Sequence, residues 1–278
     1  MTTQIALGLF LTVVAAFLAK KYKALSNGGI AAAVLLALTL LATSWEGFVL
    51  MFLFFSSSSV FTLIGYKKKK ERGASEKEGG RNISQVLCSG AVPAAVSGLC
   101  YAVNGLRGAA ALAVASTIAF SNADTWASEL GSLSSATPRL VTNPYRKVPH
   151  GVSGGVTLLG ELGAVMGSAF IAFPASLLLA FAKNYGWSWA SVNIDPFNFG
   201  VAVLLLGWGG EVLDSILGAL IQIKYVCPKC DTFSDNPIHI CGFKAKPVSG
   251  LPFVKNETVN LISEMALALL ALIISLHL

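Results

Sequence analysis

The chain has 278 residues, 54% of them hydrophobic and 12% charged, with a formal net charge of +6. A soluble domain carries about 25% charged residues, so the water-soluble globular class is excluded. Recurrent apolar runs and a mean hydropathy of +0.68 indicate instead an all-α, polytopic membrane bundle.

Runs long enough to cross a hydrocarbon core of about 30 Å predict eight transmembrane helices, at 4–19, 28–44, 46–66, 83–104, 106–127, 156–182, 198–223 and 258–278. The first lacks a basic n-region and is followed by Lys20 and Lys21, so it reads as a retained span with no secretory or transit leader. The second and third meet at a short turn near Glu46, and a re-entrant pair is the alternative there. Four consecutive serines, Ser56 to Ser59, lie inside the third span and can bond back to their helix or across to a neighbour. A charged stretch at 67–82 then divides the chain into N-terminal scaffold helices (1–66), a cytosolic linker (67–82) and a catalytic membrane core (83–278).

Eighteen of the twenty Lys and Arg fall in the connections 20–23, 67–82, 131–155 and 224–256. With eight spans these connections share one face, which the positive-inside rule makes cytosolic, and both termini are then lumenal or external. The net charge is thus a topology signal and an attraction for anionic headgroups or phosphates, with no nucleic-acid partner implied.

The fifth span ends in Asn122-Ala-Asp-Thr-Trp-Ala-Ser-Glu129. Carboxylates at membrane depth are costly, and they mark functional sites by default. At 100° per residue Asn122, Thr125 and Glu129 share one face, while Asp124 and Ser128 share another. A straight helix cannot aim both acids at one ion. Either the helix breaks, or one acid is catalytic and the other a packing or ion-pair partner. The following loop carries Arg146, Lys147, His150, Gly151, Ser153, Gly154 and Gly155 ahead of an apolar helix. Such glycines let backbone N–H groups approach an anion at a helix N-terminus, although the pattern is not a P-loop. A tight turn with topogenic charge is the plain alternative.

Glu211, Asp214, Gly218 and Gln222 form a stripe on the seventh span, and Asn256, Asn260, Ser263 and Glu264 form one on the eighth. Both must face the bundle interior or a wet cavity, for chemistry or for interhelical hydrogen bonding alone. Gly163 with Gly167, and Gly210 with Gly218, offer close helix approach. In the loop between these spans Cys227, Cys230, His239 and Cys241 supply a Cys3His set for tetrahedral Zn²⁺. Reduced, unliganded thiols or a disulfide are the alternatives. Cys88 and Cys100 read as packing residues, and the sequons at Asn82 and Asn256 fall on the cytosolic face, where they go unmodified.

Four motifs occur in order: Asn122-Ala-Asp-Thr-Trp-Ala-Ser-Glu-Leu-Gly, Val148-Pro-His-Gly-Val-Ser-Gly-Gly, Asp214-Ser-Ile-Leu-Gly-Ala and Asn256-Glu-Thr-Val-Asn. Together they resemble the transmembrane protein 19 family over most of the chain. That family includes a plant phytyl-phosphate kinase, and it is distantly similar to dolichol and phytol kinases and to phosphatidate cytidylyltransferases. The resemblance implies phosphorylation of a prenyl monophosphate to its diphosphate with CTP or another nucleoside triphosphate and Mg²⁺. Carried over by position, Asp124 would be a metal ligand and Lys147 with Gly154 and Gly155 would hold phosphates. The Cys227–Cys241 loop and the missing plastid transit peptide depart from the plant pattern, which points to an endoplasmic-reticulum member.

The expected protein is therefore an integral-membrane kinase with catalytic Asp124, Glu129, Asp214 and Lys147, and with Mg²⁺ on Asp124 and Asp214. Arg146, His150, Gly151, Ser153, Gly154 and Gly155 would bind phosphate, supported by Asn122, Ser128, Glu211, Asn256, Asn260 and Glu264. The partners would be a nucleoside triphosphate, an isoprenoid phosphate and the lipid bilayer, with the site facing the cytosol. The rival is a transporter or exchanger for an anionic or lipid-phosphate solute, which places similar acids and broken helices in the membrane. A purely structural scaffold is a third option.

Overall fold

The structure, a computed structural model, describes residues 2–64, 80–103 and 106–277. The protein is a predominantly helical integral membrane protein with nine helices among these residues. They are α1 (Thr2–Lys21), α2 (Asn27–Thr43), α3 (Trp45–Leu63), α4 (Ile83–Cys88), α5 (Ala91–Ala102), α6 (Arg107–Leu133), α7 (Leu158–Tyr185), α8 (Pro196–Leu220) and α9 (Asn256–His277). Five of them, α1, α3, α7, α8 and α9, are long and apolar enough to cross a membrane by length and composition.

The expected eight continuous spans are corrected in two places. The helix predicted over 83–104 is broken at Ser89 and Gly90 into the short α4 and α5, and a Cβ at Gly90 would meet Leu36 of α2 at 2.8 Å. α2 has 17 residues, about 26 Å of rise, slightly short of the hydrocarbon thickness. The all-α expectation is corrected too. Two loops fold into three-stranded antiparallel sheets, one of β1 (Arg139–Leu140), β2 (Asn143–Lys147) and β3 (Gly155–Val156) in the order β2-β1-β3. The other has β4 (Lys224–Cys227), β5 (Thr232–Ser234) and β6 (Lys246–Ser249) in the order β5-β4-β6. These strands satisfy loop backbone that would otherwise be left unpaired where the loops pack on the bundle. Most of the linker at 67–82 lies outside the described residues.

Local sequence sets the helix ends. Ser26, Ser44 and Thr157 accept the third backbone N–H of α2, α3 and α7, and Asn82 with Gln85 makes a reciprocal capping box on α4. Asp195 caps α8 ahead of Pro196 at its first position, where a missing N–H costs nothing.

α6 is the axis of the bundle. Residues 110–123 are buried without interruption, packed by α3, α5, α7, α8 and α9. Gly163 and Gly167 bring α7 against it, since a Cβ at either would come within 2.9 Å of the carbonyl oxygen of Trp126 or Asn122. The serine run serves packing in both expected ways. Ser56 and Ser59 bond back to Phe52 and Phe55, while Ser57 donates to Asn122 Oδ1 at 2.9 Å.

The connections sort by end. Ser26 N donates to Arg81 O and Arg81 N to Ala24 O, which ties the basic turn after α1 to the start of α4. At the same end the 131–155 loop meets the 224–256 loop, where Ser153 N donates to Asp235 Oδ2 at 2.8 Å. At the opposite end Glu46 accepts from Trp189 N at 3.0 Å and from Ser188 Oγ, and Trp189 packs on Phe199.

Candidate functional site

α6 runs unbroken past Asp124, so the face rule holds and its two acids diverge. Glu129 turns to α3, where Thr62 Oγ1 donates to its Oε1 at 2.7 Å. Asn122 lies on that same face, and its Nδ2 also donates to Gly167 O at 2.7 Å. Asp124 points the other way, into a polar cavity of about 190 Å³.

That cavity gathers residues from four helices and two loops. Asp124 and Ser128 come from α6, Glu161 from α7, Glu211, Asp214 and Ser215 from α8, and Asn256 from α9, while His150, Gly151, Ser153, Gly154 and Gly155 come from the glycine turn. Asp235 of the 224–256 loop completes the lining. The turn is shaped for this place. Gly151 and Gly154 have φ of +82° and +74°, conformations that side chains disfavour, and a Cβ at Gly154 would lie 2.8 Å from Ala219 Cα. Gly218 of α8 is likewise closed by Ser153 Oγ, so the turn sits directly on the helix that carries Glu211 and Asp214.

The acids are held in place by neighbours. Asn260 Nδ2 donates to Asp124 Oδ2 at 3.2 Å, Ser263 Oγ to Asp214 Oδ1 at 3.0 Å, Ser215 Oγ to Glu211 Oε1 at 3.1 Å, and Ser121 Oγ to Glu264 Oε1 at 3.2 Å. Glu264, fully buried, belongs to this network beside the cavity and not to its lining. Asp124 and Asp214 are close enough for their charges to act on each other, and Arg81 for its charge to act on Asp124.

Lys147 and Arg146 are not brought to this lining. Both lie on the exposed strand β2, and Arg146 stacks over the Phe233 ring at 4.8 Å. Among the described residues, His150 is the only Lys, Arg or His on the lining. Lys224, buried by the loop, donates to Gly218 O at 2.6 Å and satisfies a carbonyl at the end of α8. Its burial pulls the ammonium below its ordinary range.

Asp235 and Arg81, like Glu161 and Ser215 on the lining, are not among the expected site residues. Asp235 lies inside the cysteine loop, and its Oδ2 accepts from Ser153 N at 2.8 Å and from Gln222 Nε2 at 2.7 Å. Burial pushes its carboxyl up to about 6 despite those donors and Lys224. Arg81 was counted as topogenic charge. Each gains its partners only through long-range folding, which no local spacing signals.

The cavity's donors are oxygens, the kind a hard divalent cation takes, although among the described residues the only group that brings three or more acidic, Cys or His ligands together is the Cys227, Cys230, His239 and Cys241 cluster. Glu211 Oε2 and Asp235 Oδ1 on the lining, and Asn260 Oδ1 and Glu264 Oε2 beside it, are buried oxygens with no hydrogen-bond partner among the described residues. Orphaned acceptors among clustered acids call for a cation or ordered water, and oxygen-only ligation is what Mg²⁺ takes.

The cysteine loop forms a second cluster. One ligand atom from each of Cys227, Cys230, His239 and Cys241 lies within 4.8 Å of all the others, a group able to hold a metal ion. The disulfide alternative is not realised, because Cys227 Sγ and Cys241 Sγ are 3.6 Å apart and all three thiols are free. A hydrogen bond with His239 lowers the Cys241 thiol to about 6, and one with Cys241 raises Cys230 to about 11.

Comparison with known proteins supplies a family. A model described as integral membrane protein DUF92 matches residues 10–268. Protein PGR of Arabidopsis thaliana is 30% identical over 276 residues, 94% of this chain and 93% of its own length. The uncharacterized membrane protein MJ0933 of Methanocaldococcus jannaschii is 29% identical over 76% of this chain and 80% of its own. A Synechocystis uncharacterized membrane protein, sll0875, is 29% identical over 66% of each chain. No solved structure matches.

Proposed function

The chain belongs to the DUF92 family of integral membrane proteins, and from that premise we propose that it is a membrane kinase converting an isoprenoid monophosphate to its diphosphate. CTP or another nucleoside triphosphate is the donor, with Mg²⁺ as cofactor. The observation that carries this reading is the meeting of Asp124, Glu211, Asp214 and the Gly151–Gly155 turn in one cavity. Its support from sequence is the four-motif resemblance, which implies the same reaction class.

In the reaction an oxygen of the acceptor phosphate forms a bond to the donor's terminal phosphorus, and the bond from that phosphorus to the bridging oxygen breaks. The nucleoside diphosphate leaves. An acceptor that is already ionised needs no strong general base, so catalysis is positioning and neutralisation of oxygen charge. Mg²⁺, held by Asp124 and Asp214 with Glu211, would supply that neutralisation. His150 adds a donor, and the glycine turn brings backbone close to the phosphates. Asn260 and Ser263 keep the two aspartates oriented. A cavity of about 190 Å³ is smaller than the roughly 300–1,000 Å³ that encloses a drug-sized ligand, so the phosphates would sit inside and the nucleoside outside.

The isoprenoid tail would enter laterally from lipid, with only its phosphate-proximal end held inside the bundle. An apolar cavity of about 90 Å³ lies among α1, α2, α3 and the α4–α5 break, lined by Phe48, Met51 and Phe54, with Arg81 and Ser89 also on its wall. Because Arg81 also acts on Asp124, a phosphate at that guanidinium would stand between tail and acids. The clustering of basic connections at the cavity's end supports a cytosol-facing site, lumenal termini and eight passes counting α4 with α5 as one. An endoplasmic-reticulum location belongs to the same proposal. The Cys3His group, suited to Zn²⁺, is left to a structural role.

The test is Asp124→Asn in the purified full chain with CTP and a prenyl monophosphate. Loss of at least about 100-fold in diphosphate formation is expected, with expression and folding kept; full activity would refute the assignment. The broken α4–α5 favours one rival, a transporter for a lipid-phosphate solute, because such breaks line transport sites. A transporter yields no labelled diphosphate in detergent micelles.

A further inference from the structure

The cluster at Cys227, Cys230, His239 and Cys241 sits outside the cavity, yet it brackets the one loop residue that reaches inside. Cys227 ends β4, and Cys230 follows in a tight turn where Asp231 N donates to Cys227 O at 2.9 Å and Asp231 takes a φ of +50°. His239 and Cys241 lie on a second turn, closed by Gly242 N donating to His239 O at 2.8 Å. Between the two turns run β5 and Asp235. Bonds from Ser153 N and Gln222 Nε2 to the Asp235 carboxylate anchor that stretch on the glycine turn and on the end of α8.

We propose that these four side chains bind one structural Zn²⁺, and that the metal clasps the two turns together so that Asp235 stays seated against Ser153. The donor chemistry carries the first half. Three thiolates and an imidazole are soft ligands that select zinc over Mg²⁺ or Ca²⁺. Zn–S bonds of about 2.3 Å in a tetrahedron place two sulfurs about 3.8 Å apart; Cys227 and Cys241 stand at 3.6 Å. His239 also has its second ring nitrogen committed, with Nε2 3.3 Å from Thr232 Oγ1. In the tautomer with the proton on Nε2, that nitrogen donates to Thr232 Oγ1 and the Nδ1 lone pair, 3.0 Å from Cys241 Sγ, ligates the metal in place of the hydrogen bond, as partners behind metal-binding histidines arrange.

Topology carries the second half. The loop from Cys227 to Cys241 presents small strands and few buried residues, too little core to hold its shape alone. In such modules the free energy of metal binding is folding free energy. Without the ion the two turns lose their tie, and Asp235 loses the frame that aims it at Ser153. The clasp is independent of which reaction the cavity performs, so it stands or falls separately from the kinase assignment.

The experiment uses the full chain purified in detergent with thiols reduced. Elemental analysis should find about one zinc per chain, lost in Cys230→Ser and Cys241→Ser and kept in the Cys88→Ser/Cys100→Ser double variant. Should the ligand variants fail to fold, the wild-type chain is stripped with a chelator and reloaded with Zn²⁺ or with Co²⁺, whose thiolate charge-transfer bands report the same site. Hydrogen exchange then reads the clasp: the Ser153 amide should exchange at least about tenfold faster without metal and recover on reloading. Zinc well below stoichiometric, or zinc retained in Cys241→Ser, overturns the metal site. Unchanged Ser153 protection after zinc removal overturns the clasp.

Discussion

Asp235 shows what a single buried carboxyl does to the cavity. Its raised value means that the folded protein resists ionising it, whereas the unfolded chain ionises it near 4. The stabilising difference is therefore complete below about pH 4 and disappears as pH climbs through about 6. It is worth on the order of 2–3 kcal/mol. Asp235→Asn keeps an acceptor for Ser153 N and stays neutral at every pH. Thermal unfolding in detergent should show the variant level with wild type near pH 4 and more stable above about pH 6; a parallel pH dependence of both proteins would contradict this. At this scale the sequence was legible where periodicity speaks. The opposed faces of Asp124 and Glu129 followed from the helical turn angle alone, and Glu129 duly meets Thr62 of α3. The partners of Asp235 and Arg81 were not legible, because a contact 82 residues away, such as Ser153 with Asp235, leaves no mark in local spacing.

Among elements, the seam between α6 and α7 fixes the cavity's width. Gly167 lets the α7 backbone rest against Ala123, with Asn122 Nδ2 bonded to the glycine's carbonyl. Gly167→Val would drive a side chain into that contact and should cost about 1–3 kcal/mol, read as a lower unfolding temperature. Loss of function should accompany it, since Asp124 lies one residue beyond. Small residues at these spacings are visible in a sequence, and a close helix approach was expected from them, though not which helix would make it. The break in the fourth span and the two sheets were not. β1 and β3 have two residues each and β2 is exposed throughout, so none carries an alternating apolar pattern. Pairing to one another and to the helix ends creates them.

For the molecule as a whole, charge and chemistry share one end. The turn after α1, the start of α4, the glycine turn and the Cys/His loop carry the basic residues of the described chain, and the opposite end has Arg107 and Lys183. Tyr145, 93% exposed on β2, reports the orientation. In sealed microsomes with the cytosolic face outward, Tyr145→Cys in a background lacking the native cysteines should react with an impermeant maleimide before detergent is added. Reaction only after solubilisation would invert the topology.

The burial of α6 has a consequence for biosynthesis. A 27-residue helix that lies at the centre of a membrane bundle is absent from the five segments hydrophobic enough to cross by themselves. Its alanines, serines and Asp124 suit a site walled by protein, and they make a poor passenger for a translocon that sorts nascent segments by lipid affinity. Partition into the bilayer would then have to wait for α7, whose Gly-lined face receives it. A nascent chain halted after residue 133 should leave this helix outside the bilayer and open to protease, and extension through α7 should protect it.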